Sequence, residues 1–302
     1  MKPLFLLAGV GLSMLATFGV ARDIVHHFDA SNIVHQEKSL YRNIFVTEGD
    51  GYRCMKFGRY DARQTCIAIA HPSLLILNYT RGILTSLYVA SSPRRVLILG
   101  LGGGAIPMAL RSIDPTMQIE SVELDPAVVK IARSHFGYRE DDHSHAHVDD
   151  ARVFVRKQRR QGELYDLVIL DAFDKDYIPE HLLTREFLEE VRSLLTPQGA
   201  VAANTFASGP LVQHEAATYQ AVFGTTYHVD MDNGNRIILA RRDELPSPAQ
   251  IRETALLLDE KIKPLGASAA DLLPRIKQSA PVSGVRVLTD QFSPSNLLIR
   301  QR

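Results

Sequence analysis

The sequence lacks a charge excess of either sign: Lys plus Arg and Asp plus Glu each number 34 in 302 residues. A nucleic-acid-binding chain carries a basic surplus, so this balance argues against a nucleic-acid partner. There is no block of like charge and no repeat of about 20–50 residues, which sets aside charged tails and solenoids. Cysteine occurs only twice, at Cys54 and Cys66, so one bridge at most can form within the chain. No Ser–His–Asp or Cys–His arrangement is evident, so nothing points to a nucleophilic hydrolase. What remains is a globular composition, 45% hydrophobic and 23% charged, with ample material for a core. The length suits two modest domains, or one domain with extensions.

One long apolar run is present, and it is terminal. PLFLLAGVGLSMLATFGVA, residues 3–21, lies without a charge between Lys2 and Arg22. It has the length of a signal h-region and is borderline for a membrane span. Gly19-Val20-Ala21 has the small-x-small form of a signal-peptidase site. A buried helix is the bland alternative, but a core helix usually carries a polar face. We therefore expect a signal peptide or membrane anchor over 1–22. The protein would be exported or membrane-anchored on the periplasmic side, a cytoplasmic location being the alternative. The cysteines bear on this. IFVTEGDGYRCMKF and RQTCIAIA read as two strands joined by a turn near 58–62. Such a hairpin brings Cys54 and Cys66 within disulfide reach. A pair behind a signal-like segment favours a bridge; two buried thiols in a reducing compartment are the alternative.

Residues 73–90 have the apolar spacing of a helix, ending at Ser91-Ser92-Pro93. From Arg95 strand and helix alternate. VLILGL, QIESVELD, HAHVDDA, YDLVILDAF and GAVAANTF read as strands, with AIPMALRSI, PAVVKIARSHF, ARVFVRKQRR and LTREFLEEVRSLL as the helices between them. LVQHEAATYQAVF is a further helix, and TTYHVDM and NRIILARR are two more strands. This pattern predicts a mostly parallel α/β sheet covered on both faces, with the site beyond the carboxyl ends of the strands. We divide the chain into the terminal segment 1–22, a β-rich domain 23–92, a Rossmann-like domain 93–243 and a helical tail 244–302.

Four strand tips carry residues able to meet one ligand. The first is LGLGGGA, with Gly100, Gly102, Gly103 and Gly104. Glycines let the backbone turn tightly and approach a nucleotide, and the helix that follows aims N–H groups at it. The second is Glu123, about twenty residues on, where an acid accepts from both ribose hydroxyls. Asp125, before Pro126, reads as a helix cap. The third is Asp149-Asp150, a carboxylate for an adenine amino group, although one of the two is expected to cap the next helix. The fourth is Asp171 with Asp174. Two carboxylates at a sheet mouth repel each other unless a cation answers them, so a cationic substrate or a general base accounts for them better than packing.

Together VLILGLGGGAIP, SVELDPAVV, VDDARVF and YDLVILDAFDKDYIPEHLLTREFLEEVRSLLTPQGAV resemble the spermidine synthases, or polyamine aminopropyltransferases, and more narrowly their bacterial spermidine-synthase-like branch. The similarity spans roughly 40–240 and includes the NYTRGIL segment. The resemblance implies a class I methyltransferase fold with a seven-stranded, mostly parallel sheet, preceded by a small β-rich domain. It implies decarboxylated S-adenosylmethionine as donor and a small cationic amine such as putrescine as acceptor. No metal is required. By matched position the glycine loop holds the methionine-derived part, Glu123 the ribose and Asp150 the adenine. Asp171 is the base, Asp174 helps hold the acceptor, and Tyr79 contacts substrate. A homodimer is a further expectation.

Three positions depart from the family pattern. Its loop reads GGGDGG, and Gly103 stands where that aspartate belongs. Its Tyr-x-Glu is here Tyr79-Thr80-Arg81, and its Y-P-S-G stretch is not visible in 225–240. Two readings therefore stay beside the first: an S-adenosylmethionine-dependent methyltransferase with a small acceptor, and a non-catalytic exported nucleoside- or polyamine-binding domain. His143, His145 and His147 alternate as metal ligands on one strand face would, though a polar loop is the better reading. Asp290, in VLTDQFSPSNLL, is where the resemblance returns the tail toward the site mouth.

Overall fold

The computed structural model describes residues 32–58, 63–90, 92–172, 179–232 and 234–299. The expected signal or anchor segment lies outside them. Among the described residues no helix is long and apolar enough to cross a membrane.

Four strands, β1 (Ile33–Lys38), β2 (Asn43–Gly49), β3 (Tyr52–Phe57) and β4 (Arg63–Ala68), form an antiparallel sheet in chain order. Asp50 and Gly51 both take left-handed φ, 51° and 82°, in the two-residue turn between β2 and β3. A turn of that hand matches the twist of the strands it joins. Cys54 and Cys66 are register partners across β3 and β4, with Cα atoms 4.1 Å apart, and are joined by a disulfide. Most of the expected turn between them, residues 59–62, lies outside the described residues. Ile44, Val46, Met55 and Ile67 bury one face of this sheet against Val128, Ile131 and Phe136.

The single helix expected over 73–90 is instead two short ones, α1 (Asn78–Ile83) and α2 (Ser86–Val89). Thr80 and Thr85 each donate a hydroxyl to the carbonyl three residues back, at 2.6 Å. Such bonds compete with the helical ladder.

The larger sheet contains β5 (Arg95–Leu99), β6 (Gln118–Glu123), β7 (Ser144–Val148), β8 (Tyr165–Leu170), β9 (Leu195–Phe206), β10 (Tyr227–Asp230), β11 (Asn235–Arg241) and β12 (Ile276–Gln278), in the order β12-β10-β11-β9-β8-β5-β6-β7. β7, β6, β5, β8 and β9 run parallel, and the other three join antiparallel. There is one strand more than the seven expected, because the tail returns as β12 against β10. The apolar run of β5 is explained by burial on both faces. Val96 and Ile98 enter one core cluster, and Leu97 and Leu99 the other. On the first side lie α1, α2, α3 (Ala105–Ile113) and α8 (Pro248–Ile262). On the second lie α5 (Ala151–Gln161), α6 (Arg185–Ser193) and α7 (Leu211–Phe223). α4 (Pro126–His135) faces the small sheet. The tail adds two short helices, α9 (Ala269–Leu272) and α10 (Ser295–Ile299).

Candidate active site

At the carboxyl ends of β5, β6 and β8, under the small sheet, lies a cleft of about 590 Å³. Gly100 begins its floor. Its φ is 108°, and a Cβ there would stand 2.1 Å from the backbone oxygen of Asp171. The tips of β5 and β8 meet through this glycine, with Asp171 N donating to Leu99 O at 2.8 Å. Gly102 lines the cleft. Gly104 caps α3 against Tyr138, and Gly103 packs on Thr65 of β4.

Glu123 ends β6 and is half-buried at the cleft wall. Its Oε2 accepts from Leu101 N at 3.2 Å and its Oε1 from Asp125 N at 3.1 Å. Burial pushes its pKa up, while backbone N–H groups of Asp125, Leu101 and Gly102 and the Arg42 charge oppose the rise. Asp125 caps α4 through Ala127 N, as its place before Pro126 predicted. Of the next pair, Asp150 is the helix cap: its Oδ1 accepts from Arg152 N and Val153 N, both at 2.9 Å. Its Oδ2 faces His181 Nε2 at 3.2 Å, and both residues line the cleft. Asp149 also lines it and accepts from Asp150 N.

Asp171 follows β8 at the cleft floor. Asn204 of β9 donates to its Oδ1 at 2.9 Å, and the Tyr79 hydroxyl also bonds its carboxylate. Burial raises the Asp171 pKa to about 7; Asn204 and Tyr79 hold it down, and Glu123 adds to the rise. The Tyr79 pKa is raised well above the ordinary phenol value, by burial first and then by the Asp171 charge. Asn204 Oδ1 in turn accepts from Asn235 Nδ2 at 2.9 Å. Asp174 lies outside the described residues.

The structure thus gathers Tyr79, Gly100, Gly102, Glu123, Asp149, Asp150 and Asp171 around one cleft. Sequence reasoning missed Asn204, Asn235, His181, Arg42 and Arg63, which line it too. For Asn204 the available signal was an amide directly after the apolar run GAVAA. Two residues stand elsewhere than expected. Arg81 turns back, donating to Leu75 O at 2.8 Å and Ile76 O at 3.4 Å. Asp290 does not return to the site mouth: it pairs with Arg152 at 2.7 Å behind the wall, because that guanidinium is buried and demands a carboxylate. His145 and His147 lie on β7, but no group of three His, Cys, Asp or Glu among the described residues is placed to hold a metal ion.

Residues 78–232 match the family model described as the spermine/spermidine synthase domain. A polyamine aminopropyltransferase of Vibrio vulnificus is 36% identical over 98% of this chain and 99% of its own length. The human eEF1A lysine and N-terminal methyltransferase is 28% identical over 58% of this chain, which spans only 27% of that protein. Among solved structures, a probable spermidine synthase from Corynebacterium glutamicum superposes with a TM-score of 0.69 at 20% identity, covering 87% of this chain and 98% of that one, which establishes the shared fold.

The near-full-length match overturns the expectation of an exported or membrane-anchored protein. Adenosylmethionine-type donors are cytosolic metabolites, so an exported aminopropyltransferase would be parted from its donor. The run at 3–21 contributed hydropathy and the small-x-small Gly19-Val20-Ala21, with almost no positive-inside bias from Lys2 and Arg22.

Proposed function

Because this chain belongs to the spermine/spermidine synthase family, we propose that it is an aminopropyltransferase that moves the aminopropyl group of decarboxylated S-adenosylmethionine to a polyamine such as putrescine. The observation that carries the reading is Asp171: a half-buried carboxylate at the strand tip beside the glycine loop, with its pKa raised to about 7.

The roles are those the family resemblance implies, and the clustering of these residues around one cleft supports them. The loop around Gly100 and Gly102 presents backbone to the donor. Glu123 accepts from the ribose hydroxyls with the lone pairs that Leu101 N and Asp125 N leave over. Asp150 Oδ2 and Asp149 face the adenine. The donor's sulfonium already activates the adjoining methylene. The acceptor nitrogen attacks that carbon, the C–N bond forms as the C–S bond breaks, and methylthioadenosine leaves as a neutral thioether. The nitrogen's proton passes to Asp171. A base with a pKa near neutrality is suited to that transfer. Its ionised form also attracts the cationic amine, and fixing amine and methylene in line supplies much of the rate.

One observation favours a second reading, methyl transfer from intact S-adenosylmethionine: Gly103 sets no carboxylate against the intact donor, whose ammonium group already has a carboxylate of its own beside it, and the chain also matches a methyltransferase. The nucleoside product separates the two. With putrescine and each donor in turn, the proposal expects methylthioadenosine from the decarboxylated donor. S-adenosylhomocysteine from the intact donor alone would favour the second reading, and neither nucleoside would overturn both.

A further inference from the structure

We infer that Asn235 is a positioning residue for the base: it fixes the amide of Asn204 so that an N–H, and not the carbonyl, meets Asp171. This rests on the assignment of Asp171 as the base.

An ionised carboxylate only accepts hydrogen bonds. Asn204 therefore has to turn its Nδ2 toward Asp171, and it does so at 2.9 Å from Oδ1. A carboxamide is nearly symmetric in shape, so shape alone does not exclude the opposite orientation, which would set its oxygen against the carboxylate. Asn235 breaks that symmetry. Its Nδ2 donates to Asn204 Oδ1 at 2.9 Å, so the Asn204 oxygen is satisfied only when it points away from Asp171.

Asn235 is itself held by the backbone. It stands at the start of β11, in register with Phe206 of β9, while Ile237 pairs with Asn204. Its carbonyl accepts from Met231 N at 2.9 Å across the hairpin, and Ala207 N donates to the neighbouring Gly234 O at 2.9 Å. The donor thus comes from a fixed strand. The other groups facing Asp171 among the described residues are the Tyr79 hydroxyl from α1, which donates to it, and the Glu123 carboxylate from β6, which repels it. Tyr79 has a competing acceptor, Gln64 O at 3.4 Å. Asn204 is then the donor with no reason to swing away, provided Asn235 keeps it oriented.

The consequence is a pH effect of definite sign. Hydrogen bonds to the ionised carboxylate favour it, so losing one raises the Asp171 pKa. Transfer needs the ionised base, so the acid limb of the kcat/KM profile moves to higher pH. Asn204→Leu, similar in shape and without a donor, should move that limb up by about one pH unit, the size expected for one bond to a charged group. Asn235→Ala should move it in the same direction by less, with the enzyme still binding methylthioadenosine. The amine's own titration is common to all the enzymes and cancels in the comparison. A loss of folding stability alone would leave the limb in place. Asp171→Asn, measured alongside, separates the two claims. If it stays active, the base assignment fails and this inference with it. If it is inactive and Asn235→Ala leaves the acid limb where it stands in the parent enzyme, the inference is overturned while the assignment survives. Should Asn204→Leu fail to fold, Asn235→Ala decides alone.

Discussion

Gly103 and Thr65 touch so closely that a Cβ on residue 103 would stand 2.4 Å from Thr65 Cγ2 and 2.9 Å from its Oγ1, with Phe136 Cγ 3.1 Å away. The glycine loop therefore packs against β4 of the small sheet, at the position where the resembled family carries an aspartate. The departure read from the sequence thus has a steric counterpart. The space an acidic side chain would enter is filled by Thr65, which is buried. On the proposed function the donor's ammonium group has to be answered from elsewhere in the cleft, and the described carboxylates that line it are Glu123, Asp149, Asp150 and Asp171.

Gly103→Ala should accordingly destabilise the fold by about 1–3 kcal/mol, the usual cost of overpacking. Most of that cost should vanish in a Thr65→Ala background, which removes both nearest atoms. Denaturant unfolding of the two single variants and the double variant measures the coupling. Additive costs would show that the contact is not what keeps residue 103 a glycine.

A second prediction concerns the tail. All five N–H donors of Arg152 are taken: Glu190 receives two, Asp290 two and His181 O one, at 2.7–3.2 Å. Burial works against the Arg152 charge, but the bonds to Asp290 and Glu190 outweigh it and hold the pKa above the ordinary arginine value. The cluster ties the tail to α5 and α6 and fixes the backbone of His181 at the cleft edge. Arg152→Leu should cost about 1–3 kcal/mol, since it leaves the mostly buried carboxylate of Glu190 with Arg156 as its one remaining cation. Asp290→Asn should cost less, because the Asp290 side chain is 41% exposed. The sign with pH follows. Asp290's folded pKa is lowered, by its bonds from Arg152 chiefly. Its contribution is therefore present above the ordinary carboxylate range and is lost as pH falls through the lowered value. Unfolding curves at neutral and acid pH for the parent and Asp290→Asn should converge toward acid; a constant gap would contradict the account.

Much of this architecture was legible. α3 and α7 span the segments that periodicity marked, because an apolar stripe of helical spacing has only one way to be buried. β5 was legible as a strand buried on both faces, and Asp125 as a cap. Elements whose partners are distant in sequence were not. β12 is three residues long and exists only because β10 offers it an edge. Asn204 and Asn235 sit 31 residues apart, and only the antiparallel pairing of β9 and β11 brings their amides together. Arg81 read as a cation in a carboxylate's place, yet its donors reach the chain just before it. The apolar run at 3–21 misled because hydropathy says nothing of chemistry, whereas the strand-tip acids, read in order, pointed to a nucleoside and an amine.

The most direct test of the central claim is the mass of the amine after incubation with putrescine and decarboxylated S-adenosylmethionine, with Asp171→Asn in parallel. The account predicts an amine heavier by one aminopropyl unit from the parent enzyme. It predicts unchanged putrescine from Asp171→Asn, although that variant still binds methylthioadenosine by calorimetry. Unchanged putrescine from the parent enzyme, or full transfer by Asp171→Asn, would contradict it.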